Sequence, residues 1–354
     1  MAPRGRNRAF ELISLFLLFA AFSYLSSMYR FAIFGRPTHL YSRIEEVQLQ
    51  KHQSVMSNTA PAPYQYRILG ELILEGLLKE GAQLGMQALT MMIILKMSLH
   101  FLIFLLSYLF FRQFQLGIGL SLFGVACTFY AILASYYNED LVFYQYLEFI
   151  FFLAAFILIL KKIDFWLIPL TFLAMLNKET SALIPFVYLI NRLEFPKQGL
   201  WKSSKEFLVL IFVKNETFRK ILPYFTVLLV VTIGLYAGLR FYFGTNREYI
   251  TAAKPGWELL KLNFFHKYFY INWLVFFNFL LFTPWLHWNQ KPAFIKRTAF
   301  VLFPFLILGN LFFGAMAEVR TFFCLLPLLL AASLINFDRW TREAGHATRN
   351  KLKA

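Results

Sequence analysis

Charge is scarce in this chain of 354 residues: only 15% are Asp, Glu, Lys or Arg, against about a quarter in ordinary soluble domains. That shortage excludes a soluble globular protein. Acid is the scarcer sign, with 19 Asp and Glu against 35 Lys and Arg. A net charge of +16 would suit nucleic acid, but no polar domain carries a stripe of basic and aromatic residues, so the lipid headgroup is the better anionic partner. Cysteine is nearly absent. Cys127 and Cys324 both lie in apolar runs, which leaves no disulfide framework and no thiolate metal site. Internal repeats and low-complexity linkers are missing as well. What fills the chain is apolar: 59% hydrophobic residues, with 44 Phe.

The apolar residues fall in runs: Phe10 to Ala32, Met86 to Phe111, Leu116 to Tyr136, Leu141 to Leu160, Phe165 to Leu176, Ser181 to Ile190, Ile221 to Phe243, Tyr268 to Trp288, Thr298 to Met316 and Phe322 to Ile335. Most approach the roughly 20 residues a helix needs to cross a bilayer. The opening run is long for a signal peptide and ends at Tyr29 and Arg30 without a small-x-small cleavage site, so it is expected to stay as a first helix.

The stretch Phe165 to Ile190 is interrupted by Asn177-Lys178-Glu179-Thr180. It reads as one tilted span or as two half-helices, and the distribution of basic residues decides. With two half-helices, Arg4 to Arg8, Arg112, Lys161 and Lys162, Arg192 to Lys220, Lys291 to Arg297 and the tail from Arg339 all fall on one side, 21 of the 35 basic residues. The positive-inside rule makes that side cytoplasmic. The expectation is an all-α, polytopic transmembrane helical bundle of about eight full spans plus a broken half-helix pair, both termini cytoplasmic. It forms a single membrane domain over residues 1–354. Residues 30–85 make an outer loop with interfacial helices, and residues 338–354 a basic cytoplasmic tail. Ile68 to Leu78 has the spacing of one interfacial helix, and Ser203 to Val213 suits a second on the cytoplasmic surface.

Four outer connections then carry charge: Arg43-Ile44-Glu45-Glu46 with Pro63-Tyr64-Gln65-Tyr66-Arg67, the short loop Asn138-Glu139-Asp140, the break at Lys178 and Glu179, and the turn Glu318-Val319-Arg320. Ionisable groups at membrane depth are costly, which makes them default functional candidates. Blander readings stand beside each. Glu139 and Asp140 also suit a solvated hairpin tip, Glu45 and Glu46 a solvated loop pair, and Glu318 with Arg320 a structural ion pair. The break at Lys178 is the strongest signal, because interrupted backbone is tolerated mainly where it lines protein or a wet cavity. Lys96, His100 and Glu148 lie in or near apolar runs with no motif around them and are left outside the site.

On the Arg43-to-Glu46 segment, the Pro63-to-Leu69 motif, the break Leu176-to-Thr180 and the Glu318-Val319-Arg320 turn before Pro327, the chain resembles the GT-C superfamily of membrane glycosyltransferases. The resemblance is to compact bacterial types that use polyprenyl-phosphate sugars. It implies a transferase of the cell envelope, in a bacterial inner membrane, moving a sugar from a polyprenyl-phosphate donor to a glycan, lipid or protein acceptor on the outer face. It implies a catalytic base at Glu45 or Glu46. Arg67, Lys178 and Arg320 would bind phosphate, Tyr64 and Tyr66 would stack on the sugar, and Glu139, Asp140, Glu179 and Glu318 would complete the substrate site. The chain departs from the pattern in having no large soluble outer domain and no acidic pair directly after the first span. A divalent cation, Mg²⁺ or Mn²⁺, held through Glu139 and Asp140 is the one open cofactor. The rival readings are a lipid-linked glycan flippase or small-solute transporter, and a polysaccharide polymerase or ligase. No second interrupted segment argues for the inverted repeat of a transporter, and the larger polar outer loop comes early rather than late.

Overall fold

In a computed structural model, residues 4–33, 37–135, 141–193, 216–244, 255–265 and 267–351 are described. Among them the regular structure is helical throughout, with thirteen α-helices joined by short 3₁₀ turns. Five helical stretches are long and apolar enough to cross a membrane: Phe10–Tyr29 in α1 (Arg4–Ile33), α4 (Ala88–Arg112), α6 (Phe143–Lys161), Phe218–Phe243 in α9 (Glu216–Phe243) and α12 (Ala293–Phe313). Shorter apolar helices add α5 (Ile118–Ala134) and α7 (Leu167–Asn177).

Burial orders these helices from the inside out. The α6 helix is the axis of the bundle: 78% of its most apolar window is buried, against 22% for α1 and 17% for α9. It is apolar all round, as an internal helix must be, and it packs between α4 and α7. Phe110 meets Phe156 at 5.8 Å, and Phe149 stacks on Phe323 at 5.3 Å. By contrast, α1 exposes Phe10, Leu12, Ile13, Phe16 and Leu17, and α9 exposes Val230 and Ile233. Exposed apolar faces of this kind on long helices suggest a membrane protein.

The first long connection folds into α2 (Pro37–Met56) and α3 (Ile68–Gln83), so the expected helix from Ile68 runs five residues past Leu78. Between them Gln65 accepts a hydrogen bond from the Ala60 amide at 3.1 Å and donates to the Val55 carbonyl at 3.0 Å. This fully buried side chain pins the turn that carries Tyr64 and Arg67 onto the end of α2.

At the polar interruption α7 ends on Asn177, Lys178 takes extended backbone (φ −163°, ψ 142°), residues Glu179–Leu183 form a 3₁₀ turn, and α8 (Ile184–Arg192) follows. The Asn177 amide donates to the Tyr144 carbonyl at 2.8 Å, fastening the break to the first turn of α6.

The run Tyr268 to Trp288 is not one helix. The α10 (Trp257–Phe265) and α11 (Lys267–Phe277) helices precede three 3₁₀ turns at Asn278–Leu281, Thr283–Trp285 and Trp288–Gln290. Asn278 (φ 33°), Pro284 and His287 (φ 54°) explain the loss of continuity, and the 11 residues of α11 reach about 16 Å, half a hydrocarbon core. The freed carbonyls are satisfied by α13 (Leu326–Lys351): Asn336 donates to Thr283 at 2.7 Å and Leu286 at 3.2 Å. Lys291 in turn donates to the Ala332 carbonyl at 2.6 Å. Apolar composition predicted a span here, but it cannot register where the backbone turns. The α13 helix also continues beyond Ile335 into the basic tail. Ser203 to Val213 lies outside the described residues.

Candidate functional site

A cavity of about 420 Å³ opens where the helix break, the start of α3, the end of α9 and the loop after α12 converge. Its polar lining includes Tyr64, Arg67, Lys178, Glu179, Arg240 and Glu318. Five of these were expected from sequence, and they arrive from three separate connections.

Lys178 is placed by α6. Gln145 and Glu148 lie three residues apart on one helix face, and the Lys178 ammonium donates to Glu148 at 2.6 Å and to Gln145 at 3.1 Å. The Glu148 side chain is fully buried and that of Lys178 only 5% exposed. Thr180 donates to the second Glu148 oxygen. A buried carboxylate with both oxygens engaged holds its ammonium partner in one place.

Arg67 closes the 3₁₀ turn Tyr64–Tyr66 and begins α3. Its guanidinium lies 4.9 Å from the Tyr144 ring and 5.7 Å from the Tyr64 ring. Lys51 sits over the same two rings, 4.7 Å from that of Tyr144 and 4.8 Å from that of Tyr64. Arg240, from the last turn of α9, lies 3.5 Å over the Tyr236 ring and 4.6 Å over that of Tyr66. Both guanidiniums reach Glu179, Arg67 Nε at 3.5 Å and Arg240 Nη2 at 3.8 Å.

Asn263 staples the Glu318 side of the cavity. It donates to the carbonyls of Leu311 and Gly314, each at 2.9 Å, and accepts from the Met316 amide at 2.9 Å. Trp273 adds a bond to the Met316 carbonyl at 2.8 Å. On the loop so held, Glu318 faces the cavity and pairs with Arg320 at 3.4 Å.

Four other expected residues lie elsewhere. Arg320 is buried behind Glu318 and is not part of the lining. Tyr66 is buried too, its ring beneath Arg240 and its hydroxyl donating to the Gly244 carbonyl at 2.7 Å. Glu45 accepts the Leu89 amide at 3.2 Å, where a carboxylate caps the positive end of α4. Glu46 is exposed. Neither glutamate lines the cavity. Glu139 and Asp140 lie outside the described residues.

Sequence reasoning leaves Glu148 outside the site and does not single out Gln145, Tyr144, Tyr236 or Arg240. A signal existed for two of them: Gln145 and Glu148 share a face of an otherwise apolar run, the spacing of a pair that serves a buried cation. Arg240 follows Tyr236 by one helical turn at the end of its run, a pattern that reads equally as an interfacial anchor. Among the described residues no three His, Cys, Asp or Glu side chains converge as a metal site.

Outside the cavity lining, His52 joins α2 to α3. Its two ring nitrogens each lie 2.8 Å from a carboxylate, Glu71 and Glu75. Burial opposes the imidazolium, but hydrogen bonds to Glu71 and Glu75 and their charges outweigh it, and the His52 pKa is raised. Glu75 is lowered in turn, by its bonds to His52 and Lys79.

No protein-family model, curated protein or solved structure matches this chain.

Proposed function

We propose that the chain is a membrane glycosyltransferase that takes a sugar from a polyprenyl-phosphate donor, with the cavity beside the helix break as its active site. The observation that supports this most is the grouping of three cations, two carboxylates and stacked tyrosines in one pocket of an apolar helical bundle. A lipid-linked phosphate rests at the membrane interface, so a site that reads it must be built from connections at that depth.

The chemistry assigns each group a role. An acceptor hydroxyl attacks the anomeric carbon, a new C–O bond forms, and the bond from that carbon to the phosphate oxygen breaks with its electron pair leaving on the polyprenyl phosphate. A carboxylate takes the hydroxyl proton, a contribution of about 10²–10⁴-fold. Glu318 suits this role better than Glu45 or Glu46, because it lines the cavity and, with a side chain 34% exposed, is open to an acceptor. Arg67, Arg240 and Lys178 meet the charge that builds on the leaving phosphate. Tyr64 and Tyr144 offer ring faces to the sugar.

A second reading, a lipid-linked glycan flippase or transporter, draws on Lys96 and His100, which are buried within α4 and recur one turn apart. The test is radiolabelled sugar transfer from synthetic polyprenyl-phosphate sugars by purified protein in liposomes. The proposal expects transfer by the wild type, its loss in Glu318→Gln, and its retention in Glu45→Gln and Glu46→Gln. Labelled lipid that crosses the bilayer intact, with no sugar transferred, refutes it in favour of transport.

A further inference from the structure

Glu179 stands where an anionic ligand of two arginines would stand. One carboxylate oxygen faces Arg67 Nε at 3.5 Å and the other faces Arg240 Nη2 at 3.8 Å. Charge-assisted bonds of this type close to about 2.7–2.9 Å when the geometry fits. The carboxylate therefore spans a gap too wide for it. A tetrahedral phosphate is not tethered to the 3₁₀ turn and has more oxygens to offer, so it can settle between the two guanidiniums with short contacts to both.

The arginines do not need Glu179 to hold them. Arg240 rests on Tyr236 and Tyr66, and Arg67 on Tyr144 and Tyr64. Glu179 itself opens a five-residue 3₁₀ turn that follows extended backbone at Lys178. Its side chain, 26% exposed, can move away from the arginines within the cavity without disturbing an α-helical hydrogen bond. The neighbouring ammonium of Lys178 keeps its own partner, Glu148, at 2.6 Å, so the released carboxylate is not drawn there.

We propose that Glu179 is an internal surrogate ligand: it bridges Arg67 and Arg240 in the empty site and is displaced by the phosphate of the incoming substrate. This rests on the reading of the cavity as a phosphate-binding site, and it adds that substrate entry is a competition between two anions. Before substrate binds, the positive charge of the two guanidiniums is thereby partly offset, and weaker anions are disfavoured because a ligand must displace a tethered carboxylate. Displacement also frees the Glu179 carboxylate within the cavity at the moment when phosphate is bound.

The test is the affinity of purified protein in detergent for farnesyl phosphate, farnesol and inorganic phosphate, measured by calorimetry at fixed ionic strength. Glu179→Gln removes the competing charge and keeps the side chain's size. It is expected to bind farnesyl phosphate about tenfold more tightly than the wild type, the scale of one charge-assisted contact, with farnesol unchanged. Adding Arg240→Gln to that variant should abolish the gain. Inorganic phosphate gains by the same factor if phosphate alone is recognised, and gains less if the lipid chain is also held; either result supports displacement. Equal or weaker binding of farnesyl phosphate by Glu179→Gln overturns it. Should that variant not fold, Glu179→Asp withdraws the carboxylate by one methylene and is expected to gain in the same direction, an unchanged affinity again overturning the idea. Binding is read without turnover: tight phosphate binding with no sugar transfer would sink the transferase reading alone. Transfer with unchanged affinity would sink only the surrogate.

Discussion

Replacing Glu148 by Gln leaves the Lys178 ammonium without its counter-charge in a site where its side chain is 5% exposed. Two bonds depend on Glu148, that from Lys178 at 2.6 Å and that from Thr180. Removing one member of a buried ion pair typically costs about 3–5 kcal/mol, because the surviving charge keeps its desolvation penalty and loses its compensation. Glu148→Gln should fall in that range. Lys178→Met should do so too, since it strands a fully buried carboxylate. The double variant replaces the pair by groups of similar volume with no net charge, and should recover most of the loss. A double-mutant cycle on denaturant unfolding of the protein in micelles reads the coupling directly. Single losses under about 1 kcal/mol, or a double variant equal to the sum of the singles, would refute the claim that the pair is buried and mutually dependent.

Other consequences are open to simple assays. The raised His52 pKa means that the folded protein holds this proton more tightly than the unfolded chain, so the stability it lends is full below the ordinary value of 6.5 and is lost as pH rises through the raised value. Glu75 acts in the opposite sense: lowered from 4.5, it adds stability above that pH and loses it as pH falls. Melting temperature should therefore decline above 6.5 in the wild type, and the decline should vanish in His52→Gln; a parallel decline in both would contradict the contact. In α5, a Cβ on Gly124 would meet Phe111 Cε2 at 2.6 Å and Leu334 Cδ1 at 2.7 Å. Gly124→Ala should thus cost about 1–3 kcal/mol in the same unfolding assay, as overpacking does. Arg67→Lys keeps the charge but loses the planar fork and its stacking on Tyr144, so it should weaken farnesyl phosphate binding while leaving the melting temperature nearly unchanged.

Much of the helical layout could be read from the chain because hydrophobic runs announce themselves and short polar breaks between them stand out. Asn177 to Thr180 is such a break, and backbone interruption follows there because Lys178 has partners on α6 rather than in its own helix. Tyr64, Arg67 and Glu318 lie in the same kind of short polar segment, and they reach one cavity. Composition carries no register, however, so the run from Tyr268 concealed three turns that Asn336 and Lys291 make tolerable. Glu45 and Glu46 sit in a charged segment that sequence cannot orient, and the Glu45 side chain is turned toward the α4 N-terminus. Glu148 was passed over for a related reason. Its partner is distant in the chain, and one acid in an apolar helix has no meaning until the helix break folds against it.

The most direct test of the central claim, that a lipid-linked phosphate sits in the cavity between the helix break and the loop after α12, is photo-crosslinking. A polyprenyl phosphate carrying a diazirine beside its phosphate would be activated in membranes, and the labelled residues mapped by mass spectrometry. The account predicts labels on the segments around Tyr64 to Arg67, Lys178 to Leu183 and Gly309 to Glu318, competed away by unlabelled polyprenyl phosphate. Competed labelling confined to α2 near Glu45 and Glu46, or to α4 around Lys96 and His100, would contradict it.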